Sequence, residues 1–239
     1  MTIKVYNSLV MSIAIQITTA IIEFFSLFVK VSPQNYIVKQ LLIVDIVVQF
    51  IEASFYVYWF NNFNKIKDIT PTRYIDWVIT TPTMLFTLVM YLIYLQYKEQ
   101  KEKEKNKDKD KENQNPNLET LNLFDLSYKH SNSLLNIILL NWLMLLCGYL
   151  VEIKVLPVYL GIIMGFIPFI LYYYKIYKQY ASKSKNGFKL FSYFVVIWGL
   201  YGFSALMPYN LKNTLYNSLD LFSKNFFGLF LSYILVKNR

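Results

Sequence analysis

Lys224 stands inside a predominantly apolar run from Leu215 to Val236, long enough to cross a bilayer as a helix of about 20 residues. An ammonium at the centre of a bilayer costs roughly 2.5 to 3.5 kcal/mol on insertion scales, so its presence there calls for a partner or a chemistry. Asp220 lies four residues earlier, one turn away on the same helical face, and supplies an anion beside the amine. Two chemistries fit. One is a Schiff base to an aldehyde, kept protonated by the carboxylate. The other is a structural buried ion pair in a transporter or receptor. The two residues alone leave both open.

Three other stretches carry polar residues at helical spacing. Ser8, Ser12, Gln16, Thr19 and Glu23 form one stripe, and Asp45, Gln49, Glu52 and Tyr56 a second. Arg73, Asp76, Thr80, Thr83 and Thr87 form a third, and Asn213 and Asn217 extend the face of Asp220 and Lys224. Small polar side chains in membrane bundles usually hydrogen-bond between helices, which accounts for most of the Ser and Thr residues. Ionisable residues at depth line a water-filled route or a buried site, and Asp45, Glu52, Asp76, Asp220 and Lys224 are read that way.

The elements that position them are seven membrane spans: 8–29, 41–60, 74–95, 134–153, 156–174, 188–207 and 215–236. With 55% hydrophobic residues and a mean hydropathy of +0.33, the chain is too apolar for a soluble domain of 239 residues. The expected fold is all-α, a single seven-helix bundle over 1–239 that has the lipid bilayer as its partner. The first span lacks a small-residue cleavage site and reads as a retained helix. Seventeen of the 24 Lys and Arg fall on or beside the segments that share the C-terminal side, six on the other, and the last is Lys224 itself. By the positive-inside rule the N-terminus is extracellular and the C-terminus cytoplasmic, and the net charge of +9 reflects orientation, not nucleic-acid binding. A single cysteine, Cys147, excludes an intrachain disulfide, and a lone histidine, His130, argues against a histidine metal site.

Between the third and fourth spans, residues 98–132 are expected as a flexible polar loop or a frayed helical extension, with Leu118 to Tyr128 mildly amphipathic. Pro168 should bend the fifth span. Trp198 and Tyr201, one turn apart, read as core packing or as one wall of a slot for a flat polyene.

Arg73-Tyr74-Ile75-Asp76-Trp77-Val78-Ile79-Thr80-Thr81-Pro82 resembles the third-helix signature of microbial rhodopsins. Asp220-Leu221-Phe222-Ser223-Lys224 resembles their seventh-helix lysine motif, and Trp198-Gly199-Leu200-Tyr201 their sixth-helix pocket. The resemblance implies all-trans retinal bound to Lys224 as a Schiff base and no enzymatic activity. It also implies Asp76 as primary counterion and proton acceptor, Asp220 as second counterion and Arg73 as their balancing cation. Thr80 would hydrogen-bond Asp76, and Tyr56 the Asp220 side. Trp77, Thr81, Trp198 and Tyr201 would line the polyene, with Cys147 and Gly148 near its ring end.

Outward proton pumps of this family usually carry a carboxylate three turns after the counterion, where this chain has Thr87. The approximate positions of the best-known pump's release carboxylates are Asn210 and Lys212. Glu52 and Asn225 instead match the central gate of channelrhodopsins, with Ser12 the candidate for its serine. The composition and the Asp-Leu-Phe-Ser-Lys-Asn-Phe-Phe-Gly run resemble rhodopsins of large DNA viruses, which implies a host-cell membrane. The cytoplasmic domain and extra helix-two glutamates of the algal channels are missing. The expectation is a light-gated cation channel passing monovalent cations or protons, with homo-oligomers occurring on this fold. The alternatives are a light-driven outward proton pump and a photosensor that signals through a partner.

Overall fold

The computed structural model describes residues 2–107 and 121–237. The helices are α1 (Ile3–Ser26), α2 (Tyr36–Asn61), α3 (Thr70–Lys107), α4 (Leu123–Lys129), α5 (Ser131–Glu152), α6 (Val158–Gln179), α7 (Lys185–Ser204), α8 (Tyr209–Asp220) and α9 (Phe226–Lys237). α8 and α9 form one rod, joined by a π-helical turn over Leu221–Asn225. The chain is a seven-helix bundle, with the short α4 as an addition. Six of the rods are long and apolar enough to cross a membrane. The seventh, α7, dilutes its apolar content with Lys185, Lys189 and several small residues.

The helices are amphipathic in the inverted sense. On α1, Ser12, Gln16, Thr19 and Glu23 are buried, while Ile17, Ile21, Phe24 and Phe25 face outward. Lipid is as apolar as any core, so burial here is decided by where polar groups find partners and not by hydrophobicity. α5 and α6 approach closely because α6 presents Gly161 and Gly165 to α5: a Cβ at Gly161 would lie 2.1 Å from Val151 Cγ2. α3 runs through the middle of the bundle, with Leu85, Leu88, Val89 and Leu92 fully buried.

The polar segment expected as a loop from 98 is helical at both ends. α3 continues to Lys107 and α4 forms before α5, while residues 108–120 lie outside the described residues. The opposite-charge pairs Lys98 with Glu102 and Glu99 with Lys103, each four residues apart, support the extension. It is also tied down: Gln96 Nε2 donates to the Tyr180 carbonyl at 2.6 Å, and Ser184, the N-cap of α7, donates to Glu99 at 2.7 Å. The seventh span is not one regular helix either, since a π turn over Leu221–Asn225 interrupts it and Lys224 lies within that turn.

Candidate functional site: a buried lysine among three carboxylates

Lys224 is 1% exposed and projects from the π turn to the centre of the bundle. Its Nζ lies 3.0 Å from Asp76 Oδ2 on α3, 3.3 Å from Glu52 Oε1 on α2 and 3.6 Å from Asp220 Oδ1 on α8. Arg73, one turn before Asp76, places Nη1 3.2 Å from Asp220 Oδ2. Its Nε donates to Asn213 at 3.1 Å and its Nη2 to Asn217, so the guanidinium is held by three residues of α8. The ring of Trp59 lies 4.7 Å beneath it.

Asp220 is the most heavily bonded acid of the group. Tyr56 donates to its Oδ2 at 2.7 Å and Tyr201 to its Oδ1 at 2.8 Å, in addition to the two cations. Asp76 has a free Oδ1, and neither oxygen of Glu52 accepts a hydrogen bond. Three carboxylates therefore face two cations, and a single proton among them makes the buried set neutral. Tyr56→Phe removes a hydrogen bond to a charged acceptor and is expected to cost about 1.5–3 kcal/mol. Thermal unfolding in detergent measures this, and an unchanged midpoint would show that Arg73 and Tyr201 hold Asp220 without help.

Several expectations need correction. Thr80 does not bond the Asp76 carboxylate: its hydroxyl donates to the Asp76 backbone carbonyl at 3.0 Å, the usual outlet for a helical threonine. Thr81 lines the cavity and bridges to α5, donating to Asn141 Oδ1 at 2.8 Å. Cys147 packs behind the cavity, 3.6 Å from where a Gly165 Cβ would stand, while its neighbour Gly148 lines it. Ser12, Glu52 and Asn225 are not bonded to one another. Ser12 donates to the Asn217 carbonyl at 3.4 Å, and Asn225 Nδ2 to Thr19 at 2.8 Å and Gln49 at 3.0 Å. Glu52 faces Lys224. Sequence spacing missed Asn141 and Ser223, single polar residues whose only signal was an apolar setting. It also missed Tyr74 and Tyr216, which look like ordinary aromatic filling.

Beyond the amine lies a cavity walled by Trp77, Thr81, Trp198 and Tyr201, with Gly148, Phe166 and Gly202 also in its lining. Trp77 and Tyr201 meet edge to face at 5.4 Å. A Cβ at Gly148 would fall 2.5 Å from Tyr74 Oη, so the glycine makes room for the Tyr74 ring beside the cavity.

The fold and this site define a seven-helix membrane protein built around one buried, carboxylate-ringed lysine that opens on an aromatic slot. Residues 7–238 match the bacteriorhodopsin-like protein family, and the chain belongs to it. It is similar to viral rhodopsin OLPVRII, at 27% identity over 98% of each chain with a TM-score of 0.75. A blue light-absorbing proteorhodopsin from Med12 is 20% identical over 98% of this chain and 97% of that one, with a TM-score of 0.68. Halorhodopsin, a light-driven chloride pump, is 12% identical over 99% and 97%, with a TM-score of 0.68. The last two attest the fold alone. No curated protein matches the sequence.

Membership implies a retinal chromophore, and the residues fit one. A buried amine with an anion at hydrogen-bond distance opens directly onto an aromatic-walled apolar cavity, and the indole nitrogens of Trp77 and Trp198 beside it have no partner.

Proposed function

We propose that the chain is a light-gated cation channel whose gate lies at Glu52, beside the Lys224 nitrogen that carries all-trans retinal. When bound, the retinal supplies light absorption and a change of shape at that nitrogen. Asp76, the nearest carboxylate, is placed to take a proton from Nζ, and Asp220 to hold the remaining charge against Arg73. Glu52 stands 3.3 Å from Nζ, so any change of charge or position there is felt on α2 at once.

The observation that carries this reading is a buried polar column between α1, α2 and the α8–α9 rod. It runs from the half-buried Ser8, which accepts from Asn217 at 2.9 Å, past Ser12, Gln16 and Glu52 to Asn225, Thr19, Gln49, Asp45 and Glu23. A cation crossing a bundle needs oxygen ligands in succession, and the column supplies carboxylate, amide and hydroxyl oxygens. From Ser12 to Glu23 its side chains are at most 4% exposed, as a pore closed in the dark requires. Thr87, the position at which a pump would hold a carboxylate on α3, spends its hydroxyl on the Thr83 carbonyl at 2.9 Å. With the N-terminus outside, Glu23 and Asp45 belong to the cytoplasmic half.

Whole-cell photocurrent against voltage, with retinal supplied and external cations exchanged in turn, tests the reading. A channel gives a current that reverses at a voltage following the cation gradient, and Glu52→Gln alters its selectivity or makes it leak in the dark. A small outward current that never reverses would establish a proton pump instead. Light absorption with no current in either variant would leave the sensor.

A further inference from the structure

Two buried acids take no part in the chemistry at Lys224. Glu23 on α1 and Asp45 on α2 are 0% and 1% exposed, and among the described residues neither forms an ion pair. One amide group joins them: Gln49 Nε2 donates to Glu23 Oε1 at 2.6 Å and to Asp45 Oδ2 at 2.9 Å. The orientation of that amide is set from its other side, where Gln49 Oε1 accepts from Asn225 Nδ2 at 3.0 Å and from Thr19 at 3.4 Å.

The frame is built for this arrangement. Gly228 of α9 lies against all three groups, and a Cβ there would fall 2.2 Å from Glu23 Oε1, 2.4 Å from Asp45 Oδ2 and 2.5 Å from Gln49 Nε2. Glu23 Oε2 and Asp45 Oδ1 have no partner, and Gln16, 3% exposed on the same face of α1 as Glu23, has neither amide atom satisfied. Asn225 Oδ1 is free as well.

Two ionised carboxylates on one neutral donor, out of water and without a cation, are strongly unfavourable. A metal ion does not fit the junction, because the Gln49 N–H groups already point at both acids from it and would repel a cation. A proton does fit: held by either acid, it removes one of the two charges and leaves the other for the Gln49 amide to stabilise.

We propose that Glu23 and Asp45 hold one proton between them and form a latch that keeps α1 and α2 closed on α9 at Gly228. Loss of that proton sets two like charges side by side and drives the three helices apart. The latch is coupled to the lysine through Gln49 and Asn225, the residue after Lys224. It is independent of whether the chain conducts, pumps or signals.

The test is read in the dark on retinal-loaded protein in lipid, by infrared spectroscopy in H2O and D2O. One carboxylic C=O band that moves in D2O should be lost or displaced in both Glu23→Gln and Asp45→Asn, while the visible absorption band persists in each. A band altered by only one replacement, or by neither, overturns the shared proton. Disappearance of the wild-type band on adding sodium or calcium chloride overturns it in favour of a cation site. Should a variant fail to hold the chromophore, wild-type protein labelled with 13C at Glu and Asp carboxyls decides. One Glu and one Asp resonance should both move when D2O replaces H2O, and a pair of unmoved carboxylates overturns the latch.

Discussion

Lys224→Ala is expected to leave the protein colourless and markedly less stable. The amine is the single lysine nitrogen in the cluster at the cavity mouth, so its removal takes away the only group there that condenses with an aldehyde, and no visible band should form with retinal. Stability falls for a separate reason. Asp76, Asp220 and Glu52 are each fully buried, and without Lys224 only Arg73 remains to balance them. Removing one partner from a buried charged set costs about 3–5 kcal/mol. Lys224→Arg separates the two effects: it keeps the positive charge and most of the stability but forms no visible band. Denaturation of each variant, beside an absorption spectrum after adding retinal, reads both. Covalent retention of retinal by Lys224→Ala would refute the assignment of the attachment site.

Arg73→Gln should be the most damaging change outside the lysine itself. The guanidinium is 0% exposed, reaches Asp220 at 3.2 Å, donates to Asn213 and Asn217, and rests on the Trp59 ring. Its loss leaves Asp220 with one distant cation at 3.6 Å and leaves two asparagine oxygens without donors. A cost of about 3–5 kcal/mol follows, with a lower thermal midpoint as the readout. Arg73→Lys should recover only part of it, because an ammonium cannot reproduce the fork that meets three residues of α8 at once. Wild-type stability in Arg73→Gln would mean that Tyr56 and Tyr201 neutralise Asp220 by themselves.

Much of this protein is set by local pattern. Spans of bilayer length, the four polar stripes and the Asp220 to Lys224 spacing need only the helical period and the cost of charge in lipid, and both act residue by residue. They were enough to turn the polar faces of α1, α2, α3 and the α8–α9 rod away from lipid, and to single out Asp45, Glu52, Asp76, Asp220 and Lys224, while the role of Arg73 came from the resemblance. The Gly161 and Gly165 pair that seats α6 on α5 was also there to be read as a small-residue motif.

The partner of each side chain was decided only by the tertiary structure. Spacing puts Glu52 and Lys224 on polar stripes and the resemblance adds Asn225 beside them, but in the structure, where a π turn covers Leu221–Asn225, Lys224 meets Glu52 while Asn225 meets Gln49 and Thr19. A regular helical period cannot anticipate that turn. The same holds for Glu23 and Asp45, which lie on different helices and meet because Gly228 on a third lets their side chains reach its backbone. A stripe says which face a residue occupies. Which of several buried oxygens it meets depends on ångström-scale offsets between helices, and those are fixed by packing across the whole bundle.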